Sequence, residues 1–489
     1  MILANQASGL RYAVRLYVVF KYFGQMNLIL AILTLAPLLV SLISGESLAA
    51  LRYTIVICCL TGLWIGTARM KPPANMQVNE GLVLVVLMFF FTPLVMAYPM
   101  MSSELSFLDA FFEAVSGVTT TGLSTKTTLV DAPMTFLFTR AWMQWYGGLG
   151  IVVLSLAFIM QPGLVTKSLA ATGTEKDDLV GGTRAHARRV FKVYSILTVV
   201  AVFGSLLVGI NLFDALLYSF SAVSTGGFAP DTKSLENFNW PVQVWITLVC
   251  ICAAVPLTFY YRLFSKKHRD NVGLFQLKAI LVASLVMSLF VSASMRVNGS
   301  MTWSQILHHA PLLAFSAQTT SGFSSISPAE LDVTSKLLLT FSMLVGGGVE
   351  STAGGFKILR LLIAMNFVHV LLLRTCLPKH AVIEHRIANH QLHDEEIHTA
   401  LILILLFIAI LAFSWLPFVA MGYNPIDSLF EVASALGTVG LSTGITSAAL
   451  PTLLKWVLCV DMLLGRLEII AWLVLLYPRT WFGRRIEGL

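Results

Sequence analysis

Thr119-Thr120-Thr121-Gly122-Leu123, Ser224-Thr225-Gly226-Gly227-Phe228, Thr319-Thr320-Ser321-Gly322-Phe323 and Gly437-Thr438-Val439-Gly440-Leu441 are four versions of one string. In each, a threonine stands two residues before a glycine, and Leu or Phe follows that glycine. The strings recur about every 100 residues, enough chain for a membrane crossing, a short helix, the string and a second crossing. The segments before them match as well. Phe107-Leu108-Asp109-Ala110-Phe111-Phe112-Glu113-Ala114-Val115-Ser116 aligns with Pro425-Ile426-Asp427-Ser428-Leu429-Phe430-Glu431-Val432-Ala433-Ser434, and Phe213-Asp214-Ala215-Leu216-Leu217-Tyr218-Ser219-Phe220-Ser221-Ala222 keeps the theme. Each is about ten to twelve residues long, too short to span a bilayer, and lies between full-length apolar runs. The spacing predicts re-entrant half-helices, with the Asp near the start of three of them as cap and as counter-charge to the helix dipole.

The composition around the strings agrees. Of 489 residues 57% are hydrophobic and only 12% charged, with a mean hydropathy of +0.80, which no single water-soluble core could hide; lipid must cover much of the surface. Apolar stretches of spanning length begin at 26–44, 53–67 and 81–98 and recur to residue 476, for about ten crossings. Arg11, Arg15 and Lys21 before the first run give it the look of a signal peptide, but the run is too long for a cleaved segment, so a retained helix is expected. The six cysteines, Cys58, Cys59, Cys250, Cys252, Cys376 and Cys459, show no metal-ligand or paired spacing and read as small core residues.

The net charge of +7 is spread over short inter-helix segments and forms no single patch, which argues against a nucleic-acid partner and for membrane orientation. Cations concentrate at the N-terminus, at Arg69 and Lys71, at Lys167, Lys176, Arg184, Arg188 and Arg189, at Arg262, Lys266, Lys267 and Arg269, at Arg374, Lys379 and Arg386, and at Arg479, Arg484 and Arg485. These segments should face the cytoplasm, with both termini there. The alternate loops near 126–131, 231–236 and 330–336 balance their cations with acids and should face outward.

Non-helical backbone at membrane depth survives only where protein buries it or where it lines water. Four such strings would meet around one axis, glycine letting consecutive carbonyls turn inward, where rings of carbonyls can replace the hydration shell of an alkali cation. The half-helices end at the strings and aim their partly negative C-termini at the path. A single string of this kind is equally well a helix closed by glycine; four in equivalent positions argue for a cation site.

Together with Gly346-Gly347-Gly348-Val349-Glu350-Ser351-Thr352-Ala353-Gly354-Gly355-Phe356-Lys357 and Met462-Leu463-Leu464-Gly465-Arg466-Leu467-Glu468, the strings resemble the Trk/Ktr/HKT superfamily of cation transporters, and within it the bacterial Trk branch, over essentially the whole chain. The resemblance implies an all-α integral membrane protein of four pseudo-symmetric helix/pore-loop/helix repeats around one ion pore, preceded by two extra transmembrane helices. The boundaries are 1–72 for the N-terminal pair, then 73–165, 185–265, 273–376 and 393–480 for the repeats, the third with a broken second helix. It implies a filter of Thr119, Thr120, Thr121 and Gly122, Ser224, Thr225, Gly226 and Gly227, Thr319, Thr320, Ser321 and Gly322, and Gly437, Thr438, Val439 and Gly440, with potassium held by backbone and side-chain oxygens of Thr120, Thr225, Thr320 and Thr438. It further implies a homodimer in the bacterial inner membrane, a cytosolic RCK-type, TrkA-like nucleotide-binding regulatory ring, and no cofactor in this chain. Repeat two departs from the pattern, with Ser219-Phe220-Ser221 where repeats one and four have Phe-Glu, and Ala253-Ala254 where others carry glycines, so fourfold symmetry is approximate.

Below the strings, residues 337–344 are helical in pattern, 346–355 are nearly all small or polar, and 357–373 resume an apolar helix. The glycines Gly346, Gly347, Gly348, Gly354 and Gly355 therefore mark a break; the resemblance implies that this break is a gate, the alternative being close helix packing through small residues. Arg466 lies in an apolar run, where a charge must face the pore or a partner; it either repels cations or pairs with Glu468, Asp461 or Glu350. Glu113 and Glu431 are expected to support the filter backbone, His308 and His309 to satisfy local hydrogen bonds, and residues 176–178 and 184–189 to form a solvated face that can dock the regulator. A secondary transporter would instead show paired repeats with ionisable substrate contacts, and no HExxH, GxSxG or clustered His and Asp points to an enzyme.

Overall fold

The computed structural model describes residues 13–70, 77–126, 128–159, 179–263, 271–298, 301–378, 385–388 and 390–482, without the side chains of 151–159, 179–186, 271 and 390. Among the described residues the regular structure is helical, apart from a two-residue ladder, Arg386–Ile387 against His390–Gln391. Three long helices come first: α1 (Leu16–Ile43), α2 (Ser47–Ala68) and α3 (Val78–Met100). They are followed by α4 (Phe107–Val118), α5 (Met134–Ile159), α6 (Leu179–Leu207), α7 (Leu212–Val223), α8 (Trp240–Ala254), α9 (Leu257–Leu263), α10 (Asn271–Asn298), α11 (Trp303–Gln318), α12 (Val333–Val345), α13 (Ile358–Cys376), α14 (Asp394–Ala420), α15 (Pro425–Leu436), α16 (Thr452–Arg466), α17 (Glu468–Leu476) and α18 (Pro478–Trp481).

Among the described residues seven helices are long and apolar enough to cross a membrane, or eight if α8 and α9 form one span. The sequence reading of about ten crossings also included segments that prove to be broken into shorter helices. In six of the seven spans about a third or less of the apolar window is buried, and in α3 half: in α14 only 22% is buried, and Ile402, Leu405, Ile408, Phe413 and Leu416 stand exposed. Water would not tolerate such a surface, and hydrocarbon does.

Two compact units are distinguished. The first comprises Met1–Val115, Ala132–Thr139 and Leu467–Leu489. Within it Arg15 pairs with the buried Glu80 at 2.8 Å, and Lys21 donates to the Thr67 and Ala68 carbonyls at the end of α2. Tyr53 and Thr139 share a buried hydrogen bond of 2.7 Å. The second unit comprises Ser116–Asp131 and Arg140–Arg466 and carries all four strings.

Four short helices lead into the strings, α4, α7 and α15 of 12 residues each and α11 of 16. The aspartates expected to cap them sit inside the first turn instead. Ser106, Asn211 and Asn424 are the residues whose side chains accept the backbone N–H groups of Asp109, Asp214 and Asp427, and the aspartates complement the dipole from there. Breaks are also more general than expected. The non-helical stretch 346–357 separates α12 from α13, but α8 and α9 meet at an 86° bend at Val255-Pro256, and α16 ends at Arg466 just before Glu468, whose φ is +48°. Pro256 accounts for the bend, because its ring removes the N–H that would continue α8.

Candidate functional site

Every half-helix ends in the same way. The N–H of Thr120 donates to the Gly117 carbonyl and that of Thr121 to the Ser116 carbonyl; Thr225 and Gly226 repeat this with Ala222 and Ser221, Thr320 and Ser321 with Ala317 and Ser316, and Thr438 and Val439 with Ala435 and Ser434. This is the Schellman closure, whose left-handed residue is usually glycine. Here it is threonine in all four copies, with φ of +53°, +52°, +53° and +49°. A β-branched residue in that region is strained and persists only where surrounding structure holds it.

The glycine two residues later serves a different contact. A Cβ on Gly122 would lie 2.2 Å from the Gly226 carbonyl oxygen, one on Gly227 2.6 Å from Ser321 O, one on Gly322 2.1 Å from Val439 O, and one on Gly440 2.2 Å from Thr121 O. Each glycine thus packs on the carbonyl that precedes the next string's glycine, and the fourth returns to the first. The four strings form a closed ring in chain order. Its threonines are wholly buried, and the Thr120 and Thr438 hydroxyls have no hydrogen-bond partner among the described residues. Thr119 and Thr121 hydroxyls meet at 2.8 Å, and those of Thr319 and Ser321 at 3.2 Å.

The glycine-rich segment 346–357 lies against the same threonines. The N–H of Gly354 donates to Thr320 Oγ1 at 2.6 Å, that of Gly355 to the Gly437 carbonyl at 3.1 Å, and Thr352 Oγ1 stands 3.4 Å from Thr225 Oγ1, which also donates to Ser224 O. The segment is anchored at its start by Gln318 Nε2 on Gly346 O at 2.7 Å, by Gly347 O accepting from Ile358 N, and by Gly348 N on Ala254 O. Arg466 is 5% exposed, and its Nη1 donates to Thr352 O at 2.6 Å. It makes no ion pair, and its Nε and Nη2 have no partner, among the described residues. Its tie is to the glycine-rich segment and not to the carboxylates considered from the sequence. Gly465, just before it, lets α16 approach the end of α15, since a Cβ there would be 1.8 Å from Leu436 O.

Glu431 is spent on structure: its Oε1 accepts from Ser442 Oγ at 2.6 Å and from the N–H and hydroxyl of Thr443, and its Oε2 from Thr446 Oγ1 at 2.8 Å. It clamps the chain that leaves the fourth string. Glu113 is likewise buried. His309 Nδ1 meets Ser325 Oγ at 2.9 Å. Residues 176–178, and the side chains of 184–186, lie outside those described.

Two sets of residues escaped the sequence reading. Ser116, Ser221, Ser316 and Ser434 stand six residues before the ring glycines; all four carbonyls accept in the closure, and Ser116 and Ser434 Oγ also take the Gly122 and Gly440 N–H at 3.0 Å. Their fixed spacing was a readable signal. Gln144 on α5 donates to the Gly226 carbonyl, and nothing in its sequence context marks it.

Residues 47–480 match the TrkH family, described as cation transport protein. An uncharacterized cation transporter of Methanocaldococcus jannaschii is 27% identical over 92% of this chain and 94% of its own. The Trk system potassium uptake protein TrkH of Escherichia coli K12 is 27% identical over 91% and 95%, and TrkI of Halomonas elongata, also named a Trk system potassium uptake protein, is 29% identical over 95% and 96%. The crystal structure of the potassium transporter TrkH from Vibrio parahaemolyticus superposes with a TM-score of 0.84, covering 96% of this chain and all of that one at 24% identity, which speaks for a shared fold.

Proposed function

We propose, from the premise that this multi-pass membrane protein belongs to the TrkH family of cation transport proteins, that it takes up potassium across a bacterial inner membrane through the ring of four strings. The observation that carries this reading is the closed cycle of glycine-on-carbonyl contacts among Gly122, Gly227, Gly322 and Gly440. Such a ring gathers inward-turned backbone oxygens at the negative ends of four half-helices, where they can stand in for a cation's hydration shell. The relatives named for potassium uptake support the choice of ion. In this reading 73–165, 185–265, 273–376 and 393–480 are four repeats and 1–72 precedes them.

The segment with Gly346, Gly347, Gly348, Gly354 and Gly355 is the gate. Its hydrogen bonds to Thr320 and Gly437 support a position across the inner end of the ring, and Arg466, tied to Thr352, adds a positive charge that opposes a passing cation. The protein works as a homodimer with both termini in the cytoplasm, and an RCK-type nucleotide-binding ring docks on its basic cytoplasmic face, which includes Arg188 and Arg189. Purified protein in planar bilayers, bathed by potassium on one side and sodium on the other, tests the core of this. Stepwise currents whose reversal potential is displaced far from zero in the direction set by the potassium gradient are expected; reversal near zero, or a slow carrier without steps, would overturn it.

A further inference from the structure

Gln144 belongs to α5, after the first string, yet its amide serves the second string. Its Oε1 accepts from Ser221 Oγ at 2.6 Å and from the Phe228 N–H at 3.2 Å, while its Nε2 donates to the Gly226 carbonyl. The side chain is wholly buried. One amide therefore holds the second string before, at and after its ring oxygen. That oxygen is the one on which Gly122 packs. Its equivalents on Thr121, Ser321 and Val439 accept no side-chain hydrogen bond among the described residues. The sequence is matched to this contact: only the second string has glycine at this position, and a Cβ there would lie 2.4 Å from Gln144 Cδ.

We infer that Gln144 is a positioning residue for ion selectivity, acting through the Gly226 carbonyl. This rests on the reading of the ring as a filter. A carbonyl oxygen has two lone pairs; the Gln144 N–H engages one of them, which fixes the oxygen in place and lowers the negative field it can offer to an ion. Whether a filter discriminates by cavity size or by ligand field strength, both effects act in one direction. A pinned oxygen cannot close in on a smaller cation, and a weakened one repays less of the smaller cation's larger dehydration cost. Gln144 thus raises the preference for potassium over sodium, and the ring is chemically asymmetric, with three free oxygens and one restrained.

The test uses the full-length protein in planar bilayers, with the potassium-to-sodium permeability ratio as readout. Gln144→Met should lower that ratio about five-fold, the equivalent of one ordinary hydrogen bond. Gln144→Glu keeps both acceptor contacts and, in its ionised form, replaces the donor with a carboxylate oxygen that repels the Gly226 carbonyl in place of pinning it. It should lower the ratio in the same direction, and it decides the matter if the Met variant does not assemble. Gln243→Met is the control, because that amide donates to the Leu235 and Phe238 carbonyls instead of a ring oxygen; its ratio should equal wild type. If wild type prefers potassium and both Gln144 variants keep its ratio, even with lower yield or with proportionate loss of all cation flux, Gln144 is only structural and the inference fails. If wild type itself does not discriminate, the filter reading fails instead.

Discussion

Replacing Gly122 by serine imposes two separable costs on the ring. The first is conformational: at φ of +91° an L side chain is strained by roughly 1–2 kcal/mol. The second is a collision, because the new Cβ would lie 2.2 Å from the Gly226 oxygen where real contacts do not fall below 3.0 Å. The oxygen or the string must then move by about 0.8 Å, and a close-packed interior transmits that shift instead of absorbing it. Gly444 separates the two costs, having the same φ of +91° and open space, with no described atom beyond its own chain neighbours within 4 Å of where a Cβ would stand. Gly444→Ser should carry the strain alone. Gly444→Ser should lose about 1–2 kcal/mol of stability in detergent melts and Gly122→Ser more than that, and only Gly122→Ser should lose selectivity. A ring oxygen displaced that far should forfeit about 1.4 kcal/mol of discrimination, a ten-fold fall in the potassium-to-sodium ratio. Under bi-ionic conditions this moves the reversal potential by about 59 mV for a monovalent ion. Equal reversal potentials for Gly122→Ser and wild type would refute the assignment, and so would an equal shift in Gly444→Ser, which would reduce the effect to backbone strain.

Arg466→Ala removes the donor to Thr352 O and a buried charge, so it should raise rubidium uptake into proteoliposomes lacking any regulator, with the selectivity ratio kept; a well-folded variant with unchanged or lower uptake would leave segment 346–357 as a packing device. Glu431→Leu deletes four hydrogen bonds to Ser442, Thr443 and Thr446 and strands the buried Thr446 hydroxyl, which should cost about 3 kcal/mol or more and appear as a lower melting temperature before any change in ion preference. A melting temperature equal to wild type would contradict the clamp.

What could be read from the sequence followed from repetition. One string was ambiguous between a helix cap and a filter, while four in equivalent positions pointed to a common axis; the contacts run from each string's glycine to the next string and from Gly440 back to Thr121. Asp109, Asp214 and Asp427 were misplaced by three residues, because Ser, Asn and Asp are all good caps and crowd one four-residue window. The bend at Pro256 had a signal, a proline after an apolar helix, that was overlooked in favour of the glycines. Gln144 had none. Its contacts join residues 77 to 84 positions apart in sequence, and such pairing is set by how neighbouring helices pack, which periodicity does not encode.

The left-handed threonines connect the ring to the segment beneath it. Glycine at the closure of each half-helix would cost nothing in strain, so threonine there, at roughly 1–2 kcal/mol each, has to be offset by something that glycine lacks. The hydroxyl is that difference. Thr320 Oγ1 accepts from Gly354, Thr225 Oγ1 faces Thr352, and the Thr120 and Thr438 hydroxyls stand buried without partners among the described residues. With the segment in this position, two of the four hydroxyls are engaged by it and two have no partner among the described residues. Withdrawal of the segment would break the Gly354–Thr320, Gly355–Gly437 and Arg466–Thr352 bonds and free the others. On the proposed reading of the segment as a gate, three hydrogen bonds at about 1 kcal/mol each would favour the closed state by a few kcal/mol, a gap that differential binding of a regulator could reverse. If the ring is the filter and the segment its gate, as proposed, the same threonines serve ion recognition and closure, and substitutions there should couple permeability to gating where those at the ring glycines do not.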